Sequence, residues 1–377
     1  MKKNIIFVLF SFTLYCSVSA QFPELLPPNG GNKKASVTEA IGITDITINY
    51  HRPGVRGREG RIWGTVVQYG FGNFSFIGMK GTAPWRGGAN ESTTITFEHD
   101  VKVEGKDLPA GTYGMYFGVW PDSAIVIFSK DYKAWGSFYY DEKLDAARVT
   151  VKTKNLDQSV EWLKYEFVEQ KSTSAVIALM WEKLMIPFKV EVDVDKIVID
   201  NFREELKGPK GFAYQSWMNA ASYCVNAKKN LEEALTWADN SMSGFWGQKN
   251  YSTLSTKANV LAALGRQAES DSNMLAALEY ATSAFSAYNY GRTLISQKRI
   301  KEAMDVFLKN EKKYVNDKTT SNDFYVALGL ARGYSASGDY KKALTYAEKA
   351  LTKLPSEQLK PSVETMIQKL KEGKDVN

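Results

Sequence analysis

The sequence predicts two domains of unlike class: an antiparallel β-sandwich followed by an array of helical repeats. Three observations carry that expectation. From about residue 35 to 194, apolar residues alternate with period two and Gly and Asp turns interrupt the runs. After Asp195 alanine rises and aromatics thin; six of nine tryptophans precede that point, while Trp217, Trp237 and Trp246 sit in helical patterns. Small residues then recur in the second half at a nearly constant interval, as stacked helix pairs require. A chain of 377 residues, 44% hydrophobic and 24% charged, suits two globular domains rather than a disordered or multi-span protein.

At the N-terminus Lys2 and Lys3 precede the apolar run from Ile5 to Phe10, and Val18-Ser19-Ala20 supplies small residues at its end. That order predicts a signal peptide over residues 1–20, cleaved after Ala20, and a periplasmic or secreted chain with no transmembrane span left. The run falls short of the roughly 20 residues of a spanning helix, and Tyr15 before Cys16 fits a lipidation signal poorly. Residues 21–34 read as a linker. Loss of Cys16 leaves Cys224 alone, so the mature chain holds no intramolecular disulfide. The formal charge of +6 is unevenly spread: residues 21–195 carry 20 basic and 22 acidic side chains, residues 196–377 carry 26 and 20. The bland account of that basic half is a solvated face of Lys-rich helices.

Strands of the first domain, residues 35–194, are expected at Thr44–Tyr50, Thr93–Val103, Thr112–Val119, Ala124–Phe128, Trp135–Tyr140, Arg148–Lys152, Val160–Val168, Ala175–Trp181 and Ile186–Val194. Glu104-Gly105-Lys106 and Pro109-Ala110-Gly111 mark turns. No long helical pattern interrupts them, which excludes a doubly wound parallel sheet.

The second domain, residues 195–377, shows its repeat most clearly from Phe324 to Pro355. Gly338-Asp339 makes a turn between two helices, Ala331, Ala343 and Ala350 let them approach, and Pro355 stops the second. This segment resembles the tetratricopeptide repeat. Weaker copies place small residues at Ala234, Ser270, Ala303 and Ala343, at spacings of 36, 33 and 40 against the family's period of about 34. The alternative is a generic all-α bundle. Pro361 to Asn377 reads as a capping helix with a frayed, charged end. Such repeats imply a protein partner.

In the β-rich half four stretches stand in order: Ala35 to Tyr50 followed by Arg52-Pro53-Gly54-Val55-Arg56-Gly57-Arg58 and Ile62-Trp63-Gly64; Trp85-Arg86-Gly87-Gly88-Ala89-Asn90-Glu91; Val103 to Tyr113; and Ile127 to Asp131 with Trp135-Gly136 and Tyr140-Asp141. Together they resemble the bacterial domain-of-unknown-function family 2911 over about residues 33–190. Gln68 stands where that family commonly has proline. The resemblance brings no activity with it.

Candidate site residues follow from chemistry. Arg52, Arg56, Arg58 and Arg61 form a basic loop whose guanidinium forks suit carboxylate, sulfate or phosphate, or else pair with Glu59 or Glu91. Trp85, Arg86, Asn90 and Glu91 combine a flat apolar face, fixed donors and an acceptor, a set that could hold a small molecule or glycan. The same residues could instead lock a loop through an Arg86–Glu91 pair. Trp63, Trp135 and Asp141 are the further candidates, and their convergence with Arg86 and Glu91 is the point for a structure to decide. No nucleophile elbow, zinc motif or phosphate loop is present; no catalytic residue, metal or cofactor is assigned, and export excludes nucleic acid. His51 and His99 read as structural or exposed. The function expected is an exported binding or scaffold protein. The alternative is an envelope hydrolase or carbohydrate-active enzyme centred on Trp85 to Glu91.

Overall fold

The period-two segments become strands of two sheets. The computed structural model describes residues 31–73, 82–314 and 319–377, so the signal segment and cleavage site lie outside the described residues. Contacts divide the chain into two compact units at Ile197/Val198.

The first sheet joins β1 (Lys33–Ile41), β2 (Thr44–Arg52), β5 (Thr94–Phe97), β8 (Gly111–Val119), β9 (Ser123–Ser129) and β10 (Asp145–Lys152), in the order β1-β2-β5-β8-β9-β10. The second joins β11 (Lys154–Lys171), β12 (Ser174–Glu191), β6 (Val101–Val103) and β7 (Lys106–Leu108). A short pair, β3 (Gly72–Asn73) and β4 (Thr82–Ala83), lies apart. Every pairing between these strands is antiparallel. The turn signal at Glu104-Gly105 is a two-residue hairpin loop with both residues at positive φ, 47° and 79°, which matches the twist of the flanking strands.

One core fills the space between the sheets. Ile46, Ile48 and Tyr50 of β2 and Tyr113, Met115, Phe117 and Val119 of β8 meet Leu179, Trp181, Ile186 and Phe188 of β12 there. Strand alternation turns the intervening residues, His51 and Tyr116 among them, to the outer face. Yet His51 is 6% and Tyr116 1% exposed, so that face is covered where they stand.

Three strand expectations are corrected. Thr93–Val103 divides into β5 and β6, which lie in different sheets. Ala175–Trp181 and Ile186–Val194 are one strand, β12, broken in register at Glu182, whose φ is 51°; a bulge there leaves the sequence looking like two strands. Trp135–Tyr140 is a loop, tied to the sheet by a single bridge from Trp135 to Glu91.

Beyond β12 the chain is helical. α1 (Val194–Glu205) spans the division between the units. Four hairpins follow: α2 (Tyr214–Ala227) with α3 (Leu231–Asn240), α4 (Tyr251–Ala263) with α5 (Gln267–Tyr280), α6 (Ala284–Ser296) with α7 (Ile300–Tyr314), and α8 (Thr320–Ala336) with α9 (Tyr340–Leu351). α10 (Lys360–Lys371) packs on α9. Ala234, Ser270, Ala303 and Ala343 fall on α3, α5, α7 and α9, and all four are buried. Ser270 is tolerated in an alanine position because its Oγ donates to the Ala258 carbonyl of α4 at 2.7 Å. None of the described helices is long and apolar enough to cross a membrane.

The charged C-terminus is tied rather than frayed. Arg332 donates to the Val376 carbonyl at 3.0 Å, Ser335 to Asp375 at 2.6 Å, and the Asn377 amide to the Arg332 carbonyl at 3.1 Å.

The stack has one soft joint. The core of α1 to α4 includes Ile199, Cys224, Trp237 and Val260. A separate core, with Leu294, Phe307 and Leu330, joins α6, α7 and α8. Between them α5 makes little close backbone contact with α6 or α7; Leu278 of α5 packs against the second core, and polar contacts add to it. Asp271 of α5 accepts from Arg299 Nη2 at 2.5 Å and from Tyr290 Oη at 2.9 Å. Burial raises the Asp271 pKa, but hydrogen bonds from Arg299, Gln267 and Tyr290 outweigh it and hold the carboxyl below its usual range. A depressed folded pKa gives stability that is present above the unfolded value and is lost as pH falls through the folded one. Acid unfolding of the helical unit should therefore steepen below about pH 4. Asp271→Asn should flatten that slope in a fluorescence-monitored pH titration; an unaltered slope would count against the role.

At the α9 N-terminus the Asp339 carboxylate accepts from the Lys342 amide at 3.1 Å. Asp339→Ala should lower stability by removing the cap, read as a fall of the urea midpoint at constant slope.

Candidate functional site

Trp85 explains how the region is built. Its backbone pairs with Phe117 of β8, amide to carbonyl in both directions at 2.8 and 2.7 Å. Residues opposite each other in such a pair share a face, so Trp85 follows Phe117 into the core and Arg86 turns to the outer face with Tyr116. The chain then passes through Gly87-Gly88 against the sheet. A Cβ on Gly87, whose φ is +64°, would come within 2.5 Å of Phe117 and of the Tyr165 hydroxyl; one on Gly88 would lie 2.8 Å from Thr93 Oγ1. Only glycine passes there. Asn90 closes the turn at φ 60°.

The predicted residues separate into three groups. Trp63 and Trp85 belong to the interior, where with Trp181 they form a cluster with ring centroids 5.8 to 6.0 Å apart. The Trp85 indole donates to the Gly88 carbonyl at 3.2 Å, while those of Trp63 and Trp181 are buried without an acceptor. Arg52 and Asp141 go elsewhere. Arg52 Nε donates to the Leu163 carbonyl at 2.8 Å, joining β2 to β11. Asp141 caps a short 3-10 turn by accepting from the Lys143 amide at 3.0 Å. Two more arginines of the basic loop are engaged and Arg61 is exposed: Arg58 donates to the carbonyls of Val55 and Gly54, and the Arg56 guanidinium lies over the Trp162 ring. Neither arginine pairs with Glu59 or Glu91.

Arg86, Asn90, Glu91 and Trp135 do come together. Glu91 bridges to Trp135 in the backbone, and the Asn90 carbonyl accepts from the Gly136 amide at 3.2 Å. Trp135 is 57% exposed. The Phe138 ring lies nearly parallel to it at 6.1 Å, and the Arg86 guanidinium carbon is 5.8 Å from its centroid. Glu91 does not pair with Arg86. Its exposed carboxylate lies 3.0 Å from Nδ1 of buried His51.

Arg86 is thus left as a half-buried cation with no carboxylate partner among the described residues, and its Nε is buried with no acceptor. Desolvation lowers its pKa from the usual arginine value. Burying a charge without a counter-ion is costly, which is why most buried charges are paired.

Beneath the loop lie polar residues that no catalytic or binding motif in the sequence marks. Tyr116 Oη and Ser92 Oγ are 3.0 Å apart, and Ser92 also donates to the Ala134 and Gly136 carbonyls. Tyr140 packs edge-on to Tyr116 and donates to Asp145 Oδ2 at 2.6 Å, and Arg148 Nε donates to the same oxygen. Burial raises the Tyr116 pKa, against the hydrogen bond with Ser92, and burial with Asp145 raises that of Tyr140; both stay protonated near neutral pH. The alternation of β8 did carry a signal for Tyr116, the polar-tipped residue between Met115 and Phe117.

Among the described residues no group of three or more His, Cys, Asp and Glu side chains is placed to hold a metal ion. Residues 32–190 match the model of a protein family of unknown function, DUF2911. Comparison with curated proteins gave no match.

Proposed function

We propose that the chain is an exported binding protein. Its β unit, whose family match carries no activity, takes a small anionic ligand on the ledge formed by Arg86 and Trp135. Its helical unit, built as tetratricopeptide-like hairpins, takes a protein partner. The observation that carries the ligand reading is the uncompensated Arg86 guanidinium. A carboxylate, sulfate or phosphate from outside would supply the missing counter-charge and accept from its fork. Trp135 adds an exposed apolar face suited to a sugar or aromatic ring, and the neighbouring Glu91 and Asn90 could hold hydroxyl groups.

Calorimetric titration of glucuronate, glucose, sulfate and phosphate into the mature chain tests this. An anionic member of the set should bind and neutral glucose should not. Affinity should fall by at least about tenfold in Arg86→Gln. Binding by none of the four, or binding that survives Arg86→Gln, would remove the reading.

The His51–Glu91 pair favours a second reading, a hydrolase, because a buried imidazole beside an exposed carboxylate can move a proton. Under it, Glu91→Gln should abolish turnover in a screen of glycans and esters. A wild-type chain inert throughout that screen would dismiss it.

A further inference from the structure

The soft joint of the helical unit contains a cleft. It is lined by Leu275 and Leu278 of α5, Ala287 of α6, and Val306 of α7, and its volume is about 520 Å³. That is within the range of formed ligand sites. Leu275 is 40% exposed, an apolar side chain left open at the rim. Along the same rim α7 presents Lys309, Lys312 and Lys313. Lys313 is tethered, donating to the carbonyls of Leu278 and Glu279 at 2.7 and 2.9 Å. Lys309 and Lys312 are exposed, and among the described residues neither has an ion pair or hydrogen bond. Glu279 is the one carboxylate among the described lining residues.

We infer that this cleft docks an acidic peptide segment of a partner protein, whose apolar side chains enter between α5 and α7 while its carboxylates meet the lysines of α7. The inference rests on reading the helical unit as partner-binding and adds the place and chemistry of contact. Two features select a peptide. Lysines at 309, 312 and 313 stand at i, i+3 and i+4 and share one face of α7, so the rim offers a patch of positive charge directly beside the apolar floor. The apolar floor, in turn, suits side chains spaced along one face of a helix or extended segment. The hydrophobic contact would set affinity, and the lysine stripe would set selection and association rate.

The test uses the full exported chain and a fluorescein-labelled amphipathic peptide of about 14 residues, about four turns, with Leu on one face and Glu on the other. A counterpart with Lys for every Glu and the fatty acid decanoate serve as controls. Anisotropy should show binding of the acidic peptide alone, weakening as salt is raised. Lys309→Glu with Lys312→Glu should cost at least about tenfold in affinity, and Leu275→Lys, at an exposed position that leaves the fold intact, a similar factor. Circular dichroism checks the fold of each variant. Failure of the acidic peptide to bind, equal binding of the basic one, or indifference to both sets of substitutions would overturn the inference. So would tight binding of decanoate alone. If a natural partner engages the helical unit and ignores these substitutions, this cleft is dismissed while partner binding stands.

Discussion

Phe307→Ala should destabilise the helical unit by about 3–5 kcal/mol, the range for removing a large aromatic from a packed core. Phe307 is 1% exposed and lies at the centre of the α6–α7–α8 core. Its ring is received by three glycines. A Cβ on Gly291 of α6 would clash with the ring, one on Gly329 of α8 would lie 2.7 Å from it, and one on Gly333 2.9 Å. Glycine within a helix costs about 1 kcal/mol against alanine, so three of them around one ring mark a cradle shaped for that side chain. The cradle is also why the loss should reach the upper part of the range: glycine walls have no side chains to collapse into the void. Gly291→Ala should be damaging in the opposite sense, by overpacking. Urea unfolding with the slope held constant is the measurement. A loss below about 1 kcal/mol for Phe307→Ala would mean that the cradle closes on its own.

Arg86→Met should move stability and binding in opposite directions. The guanidinium is desolvated and has no carboxylate partner among the described residues, and the rings of Trp135 and Tyr116 lie near it. Replacing an uncompensated buried charge by an apolar side chain of similar length should stabilise the β unit by about 1–3 kcal/mol. The same change should remove anion binding. Arg86→Lys keeps the charge and loses the fork, so it should lose binding without gaining stability. If Arg86→Met instead unfolds the β unit, the contact with Trp135 is a structural strut. Arg86 would then be explained without a ligand.

The sequence made the two-class architecture legible for a physical reason. Period two and the spaced small residues are burial patterns, and burial is what composition along a chain records. Ala234, Ser270, Ala303 and Ala343 could be placed because helix crossings admit only small side chains there. What could not be read was set by partners distant in sequence. The loop at Trp135–Tyr140 is rich in strand-forming aromatics, but Trp135 and Tyr139 stay exposed and Tyr140 packs edge-on to Tyr116. Glu182 divides one strand into two apparent ones. Trp85 and Arg86 looked like members of a single site; the pairing of Trp85 with Phe117 sends them to opposite faces. Glu91, five residues after Arg86 but not paired with it, has its partner in His51, 40 residues earlier. The candidate site was therefore legible as a region, through the Trp-Arg-Gly-Gly run, and not as a constellation.

The polar joint at Asp271 has a consequence for cooperativity. In a linear stack, all-or-none unfolding requires each neighbour pair to be coupled more strongly than a single hairpin is unstable. Hairpins α6–α7 and α8–α9 share an extended apolar core through α8, whereas α5 makes little close backbone contact with the next hairpin and meets it through Leu278, the Asp271–Arg299 pair and the Lys313 hydrogen bonds. The array should therefore melt as two blocks, α2–α5 and α6–α10, with amide exchange reporting a separate opening free energy for each. A ligand in the cleft would span both blocks, and its binding would register as a merging of their two transitions into one.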